Sequence, residues 1–250
     1  DANADAPTLA LSQQLAAGMA AAAAAMCDAA AAAEKAQLIF NTGDLIRHGS
    51  VDEFIANHLP LLKTTDPVPV FCVPGNHERG KRMDFAAFKA VYGGTRFSFD
   101  YGNCRFVGFN ASEHIRVNGS DLRFLERELA KPGATHKFVF FHIPPKYFER
   151  EIASNDRRGF KWNADKLRKL LTRHGVNEVF MGHIHGYATE VIDGVRYTLT
   201  AGGGAPLSER LPKEASVHNY VVLTIGPNGI HEEVVRLIED EWVRAEVVSS

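Results

Sequence analysis

Short apolar runs alternate with amphipathic stretches along most of the chain, a pattern that predicts strands followed by helices. Residues 37–41, 68–73, 137–142 and 178–181 are compact apolar runs that stop at turn-forming or histidine-bearing segments, and they read as buried strands. Between them, residues 51–62, 84–92, 121–130 and 164–174 carry helical spacing. In the first of these Phe54, Ile55, His58, Leu59 and Leu62 make one stripe. Residues 97–101 and 104–109 flank Gly102-Asn103 and predict a hairpin.

Beyond Gly186 the pattern changes. Residues 188–192 and 195–200 flank Asp193-Gly194, a strong hairpin signal, and residues 218–225 and 230–238 flank a Pro227-Asn228-Gly229 turn. Parallel βαβ units therefore give way to an antiparallel sheet. The expected fold class is α/β, a four-layer α/β/β/α sandwich of mixed sheets. With no internal repeat and no Pro/Ser-rich linker, residues 1–250 are expected to form a single domain.

Residues 16–36 are nearly all alanine, the best helix former. Leu11, Leu15, Met19, Ala22, Met26, Ala30 and Ala33 recur at three- and four-residue steps, and Asp5 and Pro7 supply start signals for a long helix packed on a sheet. Asp28, Glu34 and Lys35 interrupt the run, and alanine is only weakly apolar, so it does not read as a membrane span.

Composition narrows the function classes. Hydrophobic residues are 45% and charged residues 23%, which excludes a disordered or fibrous chain. The net charge of −2 gives no electrostatic footprint for nucleic acid or an anionic membrane. Cys27, Cys72 and Cys104 cannot all pair and read as reduced thiols. No signal peptide is visible within a chain that opens on Asp1, and the sequence assigns neither a compartment nor an oligomeric state.

The candidate chemistry is positional. Asp44, Asn76, His142, His183 and His185 each fall just past the C-terminal end of an expected strand. In open α/β sheets ligands bind outside those ends, so residues distant in sequence converge. Carboxylate, amide oxygen and imidazole suit Mn, Fe or Zn, not an all-thiolate site. His183 and His185, bounded by Gly182 and Gly186, share a side if extended, or face two different ions on a tight turn. His77 follows Asn76 directly, cannot easily share its ion, and is left for proton work. Taken singly, each of these segments is equally an ordinary polar turn.

In this order GDLIRHG, GNHE, FHIPP and GHIHG resemble the second to fifth motifs of the calcineurin-like metallophosphoesterase superfamily. RFSFDYGNCRFVGFNAS and RYTLTAGGGAPL are similar to the flanking segments of bacterial members, and the resemblance covers residues 37–225. It implies a metallophosphoesterase sandwich with a dinuclear centre of two divalent or transition metal ions. Asp44 would bridge them, Asn76, His142 and His183 would complete one site, and His185 would belong to the other. A bridging hydroxide would attack a small phosphate ester, mono- or diester, while His77 stabilises the transition state or protonates the leaving alkoxide.

Two departures qualify this. The superfamily's first motif, Asp-x-His at the end of the first strand, does not occur between Asp1 and Gly43, and the chain is expected to begin just past it. The site of His185 would then hold only Asp44 and His185, and a catalytically impaired scaffold that binds a protein partner is the alternative function. Arg47 occupies the position where the purple acid phosphatase branch carries a tyrosine ligand; it is expected to pair with Asp52 or Glu53, the alternative being a contact with substrate phosphate. Glu113 and His114 lie near the expected cleft, and the charged stretch from Lys146 to Lys161 reads as a solvated loop or a lid.

Overall fold

The computed structural model describes residues 35–80, 84–113, 116–148, 159–226, 229–239 and 241–247. The alanine-rich helix expected over residues 16–36 lies outside them except for its last two positions; Cys27, His114 and residues 149–158 of the charged stretch also lie outside.

Strands β1 (Ile39–Asn41) and β2 (Val70–Cys72) pair in parallel, with Phe40 opposite Phe71. The helical run between them comes in three pieces: α1 (Val51–Glu53), a π turn (Phe54–His58) and α2 (Leu59–Thr64). Ser50 caps its start, the hydroxyl accepting from the Glu53 amide at 3.2 Å. The spacing predicts one unbroken helix here. Pro60 explains the difference, because it brings no N–H and its ring needs room at the Ala56 carbonyl, which a widened turn supplies. Helix α3 (Ala86–Tyr92) follows β2.

Next come β3 (Phe97–Tyr101), β4 (Cys104–Gly108), α4 (Gly119–Leu129), β5 (His136–Phe140), α5 (Ala164–Arg173), β6 (Glu178–Met181), β7 (Tyr187–Ile192) and β8 (Val195–Thr200). Their six strands form one sheet in the order β3-β4-β5-β6-β8-β7. The inner pairings are parallel and the two hairpins at the edges are antiparallel. Strands β9 (His218–Gly226), β10 (Gly229–Ile238) and β11 (Glu241–Glu246) form a separate antiparallel sheet.

Period-two alternation decides which face each strand presents. Val107, Val139, Val179 and Met181 point toward Leu125, Leu129, Leu167 and Leu171 of α4 and α5. Phe106, Phe138, Phe140 and Phe180 point the other way, against Phe40 of β1 and Val221, Leu223 and Ile225 of β9. Phe40 stacks on Phe140 with centroids 4.3 Å apart, a geometry that adds to the gain from burying both rings. Beyond β2, Phe54, Cys72 and Phe88 close a third cluster under the outer helices. The layers are helix, sheet, sheet and helix.

Part of the space between the sheets is polar. Glu178 and Glu232 are 3% and 6% exposed and hydrogen-bonded to each other, with Arg196 3.4 Å from Glu232 and the Thr198 hydroxyl donating to Glu178 at 2.6 Å. Burial, and for Glu178 the neighbouring Glu232, raises both carboxyls above their ordinary range. The folded chain therefore binds more protons here than the unfolded chain, and this contribution to stability is lost as pH rises past the ordinary carboxylate range. Glu178→Gln should accordingly flatten the decline of the urea midpoint as pH rises above the ordinary carboxylate range, relative to the parent chain. Parallel curves would refute the assignment.

Candidate metal centre

Asp44 follows β1, Asn76 follows β2, His142 follows β5 and His183 follows β6, so the ends of two neighbouring strands in each of two sheets supply four polar side chains. The Asp44 Oδ2 atom lies 3.0 Å from His142 Nε2, and Asn76 Oδ1 lies 3.2 Å from the same nitrogen. The His183 ring stands edge-on to His142 with centroids 5.1 Å apart. One ligand atom from each of Asp44, His142 and His183 lies within 4.8 Å of the other two. Ligands about 2.1 Å from a single ion stand at most about 4.2 Å apart, so a slight contraction, or a second adjacent ion, fits this spread.

The tautomer of His142 decides what the cluster can hold. Its Nδ1 lies 2.7 Å from the Thr42 carbonyl, which can only accept, so Nδ1–H donates and Nε2 faces the two oxygens. A neutral imidazole would point its Nε2 lone pair at a carboxylate and an amide oxygen. That contact is tolerable only with positive charge between them, supplied by a second proton or by a cation. Burial opposes charge on His142, but Asp44 outweighs it and raises the imidazole above its ordinary value. Burial would also raise Asp44, and His142 and His77 instead hold it well below the usual carboxylate range. Carboxylate, amide oxygen and two imidazoles are a donor set for Mn, Fe or Zn.

The backbone is bent to make this arrangement. Asp44 and His183 adopt φ of 60° and 74°, the left-handed region that a non-glycine residue enters at a cost of about 1–3 kcal/mol. Glu78 offsets part of that cost. Its buried carboxylate accepts from the Asp44 and Gly75 amides at 2.8 and 2.6 Å and from the Ile46 amide at 3.1 Å. Burial and the neighbouring Asp44 push the Glu78 carboxyl up to about 7. Gly75 has to be glycine, because a Cβ there would fall on the Asp44 carboxylate and amide. The sequence shows Glu78 only as the last residue of GNHE; its clamp depends on amides that the fold brings to it.

His77 is exposed at the rim. Its amide donates to Asp44 Oδ1 at 3.0 Å and its Nδ1–H to the Arg47 carbonyl at 2.8 Å, which leaves Nε2 for an outside partner. His185 stands apart from the three-residue cluster, its Nδ1–H donating to the Pro206 carbonyl at 2.7 Å. Glu53, expected as a partner of Arg47, instead pairs with His48 at 2.8 Å. Glu113 pairs with Arg116 at 3.2 Å.

Strand-end carboxylate, amide and imidazole on a four-layer α/β sandwich define the metal-dependent phosphoesterase class. The chain belongs to the calcineurin-like phosphoesterase family, whose model matches residues 16–187. It is 26% identical over 204 residues to the serine/threonine-protein phosphatase CPPED1 of Mus musculus, covering 72% of this chain and 65% of that one. In fold it is similar to GAP50, the anchor in the inner membrane complex of Plasmodium, with a TM-score of 0.69, 15% identity, and 92% and 84% of the two chains covered. A purple acid phosphatase, PPD1, of Lupinus luteus gives a TM-score of 0.65 at 18% identity, covering 90% of this chain and 48% of that one. No helix among the described residues is long and apolar enough to cross a membrane.

Proposed function

We propose that this chain hydrolyses a small phosphate ester, a phosphomonoester or phosphodiester, at a dinuclear centre of Mn, Fe or Zn. The observation that carries the reading is the meeting of Asp44, Asn76 and His142 around one nitrogen, with His183 edge-on beside them. Asp44 would bridge the two ions, Asn76, His142 and His183 would complete one site, and His185 would belong to the other. The bound ions would polarise the phosphoryl group and acidify a water. This chain's own residues do the rest. Glu78 fixes the strained Asp44 turn, Thr42 holds His142 in its ligand tautomer, and His77 delivers a proton to the leaving oxygen from Nε2. A net charge of −2 supports a small ester over nucleic acid or an anionic membrane surface.

Among the described residues, Asp44 and His185 are the ligands proposed for the second ion, fewer than the three of a usual catalytic zinc site. The chain should therefore take up one ion tightly and a second weakly, with hydrolysis of an aryl phosphate following occupancy of the second. Titrating the metal-stripped chain with Mn²⁺ or Zn²⁺, counting bound ions and recording turnover at each addition, tests this. Saturated chain no faster than its Asp44→Asn variant would overturn the enzyme reading. It would favour a second one, a phosphoesterase fold serving as a scaffold for a protein partner, which the likeness to the Plasmodium anchor supports.

A further inference from the structure

The geometry points to Asn219 as a positioning residue for His142, acting through Thr200 and Thr42. The inference rests on the metal-centre reading above and names what holds that centre in place. Four hydrogen bonds run from the ligand into the body of the protein. His142 Nδ1–H donates to the Thr42 carbonyl at 2.7 Å, and the Thr42 hydroxyl donates to the Thr200 carbonyl at 3.2 Å. The Thr200 hydroxyl donates to Asn219 Oδ1 at 2.8 Å, and Asn219 Nδ2 donates to the Val217 carbonyl at 3.0 Å.

The links connect three sheets. Thr42 follows β1, Thr200 ends β8 and Asn219 is the second residue of β9, and these three strands belong to three sheets that share no ladder. The chain of bonds is thus a cross-brace where backbone pairing supplies none. Asn219 is 1% exposed, and both ends of its amide are engaged, so its orientation is fixed. The junction at Thr42 is equally closed. A Cβ on Gly182 would stand 2.9 Å from the Thr42 carbonyl and hydroxyl oxygens and 3.0 Å from His142 Nδ1, which leaves no room there for water to replace a lost bond. The Asn41 carbonyl and side chain hold the neighbouring backbone through the Val73 and Gly43 amides, and the brace adds the hold on the Thr42 side chain itself. Partners of this kind set the tautomer, ring angle and basicity of a ligating histidine, and their loss costs about 10- to 100-fold in metal affinity.

The test compares Thr42→Val, Thr200→Val and Asn219→Ala, with Thr42→Ser and Thr200→Ser as rescues. Calorimetric titration with Mn²⁺ or Zn²⁺ alone should show each of the first three weakened about 10- to 100-fold and both serine variants near the parent value. Asn219→Ala placed in the Thr42→Val background should add nothing further, because both cut one relay. Two-bond ¹H–¹⁵N correlation on the metal-free chain, recorded at a pH high enough to remove the second proton, should show neutral His142 protonated at Nδ1 in the parent and a mixture of tautomers in Thr42→Val. Loss of thermal stability with unchanged metal affinity, or effects that simply add, would make Asn219 a strand anchor and overturn the proposal. The near-isosteric valine variants carry the test if Asn219→Ala fails to fold. If the parent takes up no ion, the metal reading falls, while the tautomer comparison still decides the relay.

Discussion

Asp44→Asn should abolish the metal centre while leaving the fold standing, the largest loss of function expected from one substitution. Asparagine keeps the shape of aspartate and its tolerance of positive φ, so the bent turn at φ 60° survives. Glu78 still accepts from the backbone amides of residues 44 and 75. What disappears is the charge. The Asp44 carboxylate is the anionic member of a set otherwise made of an amide and two imidazoles, and its Oδ1 also anchors the His77 amide at 3.0 Å. Losing an outer partner of a ligand costs about 10- to 100-fold in affinity, so losing the carboxylate proposed to bind the ions directly should exceed about 100-fold. Metal content after dialysis, turnover of an aryl phosphate and the melting temperature separate the outcomes. Metal and activity should vanish with little change in melting. A variant that keeps both would remove Asp44 from the centre.

Much of this was legible in the sequence because strand ends announce themselves. The strands over residues 37–41, 68–73, 137–142 and 178–181 are dense enough in β-branched and aromatic residues to be read locally, and the chemistry sits a few residues past each. The partition of Val139 and Phe138 to opposite faces follows from period two alone. Other features are decided by partners far away in sequence. Glu78 acts on a backbone 34 residues distant, and Thr42 works on a histidine 100 residues on. Thr200 and Asn219 look like ordinary strand-end polar residues until both sheets are assembled. Strand β11 escaped because Glu241, Arg244 and Glu246 give it the charged composition of an edge strand, in which pairing with β10 outweighs propensity.

His77→Ala should lower kcat by about 10²- to 10⁴-fold with metal content nearly intact, the range for loss of general acid–base help. Two contacts place His77 as the proposed proton role requires. Its amide is committed to Asp44 Oδ1 and its Nδ1–H to the Arg47 carbonyl, so its Nε2 alone can reach outward. It is exposed while Asp44 beside it is half-buried and His142 is wholly buried, as suits a group that meets substrate instead of binding an ion. The leaving group tells how it acts. If Nε2 hands a proton to the departing oxygen, an alkyl phosphate, whose alkoxide is a poor leaving group, should suffer most, and an aryl phosphate with an acidic phenol should suffer least. If His77 only steadies charge on the phosphoryl oxygens, both esters should lose equally. Kinetics of the His77→Ala variant and the parent on the two esters, alongside metal analysis, make the comparison. Metal lost in step with turnover would turn His77 into a ligand, and the proton role would pass to another residue at the rim.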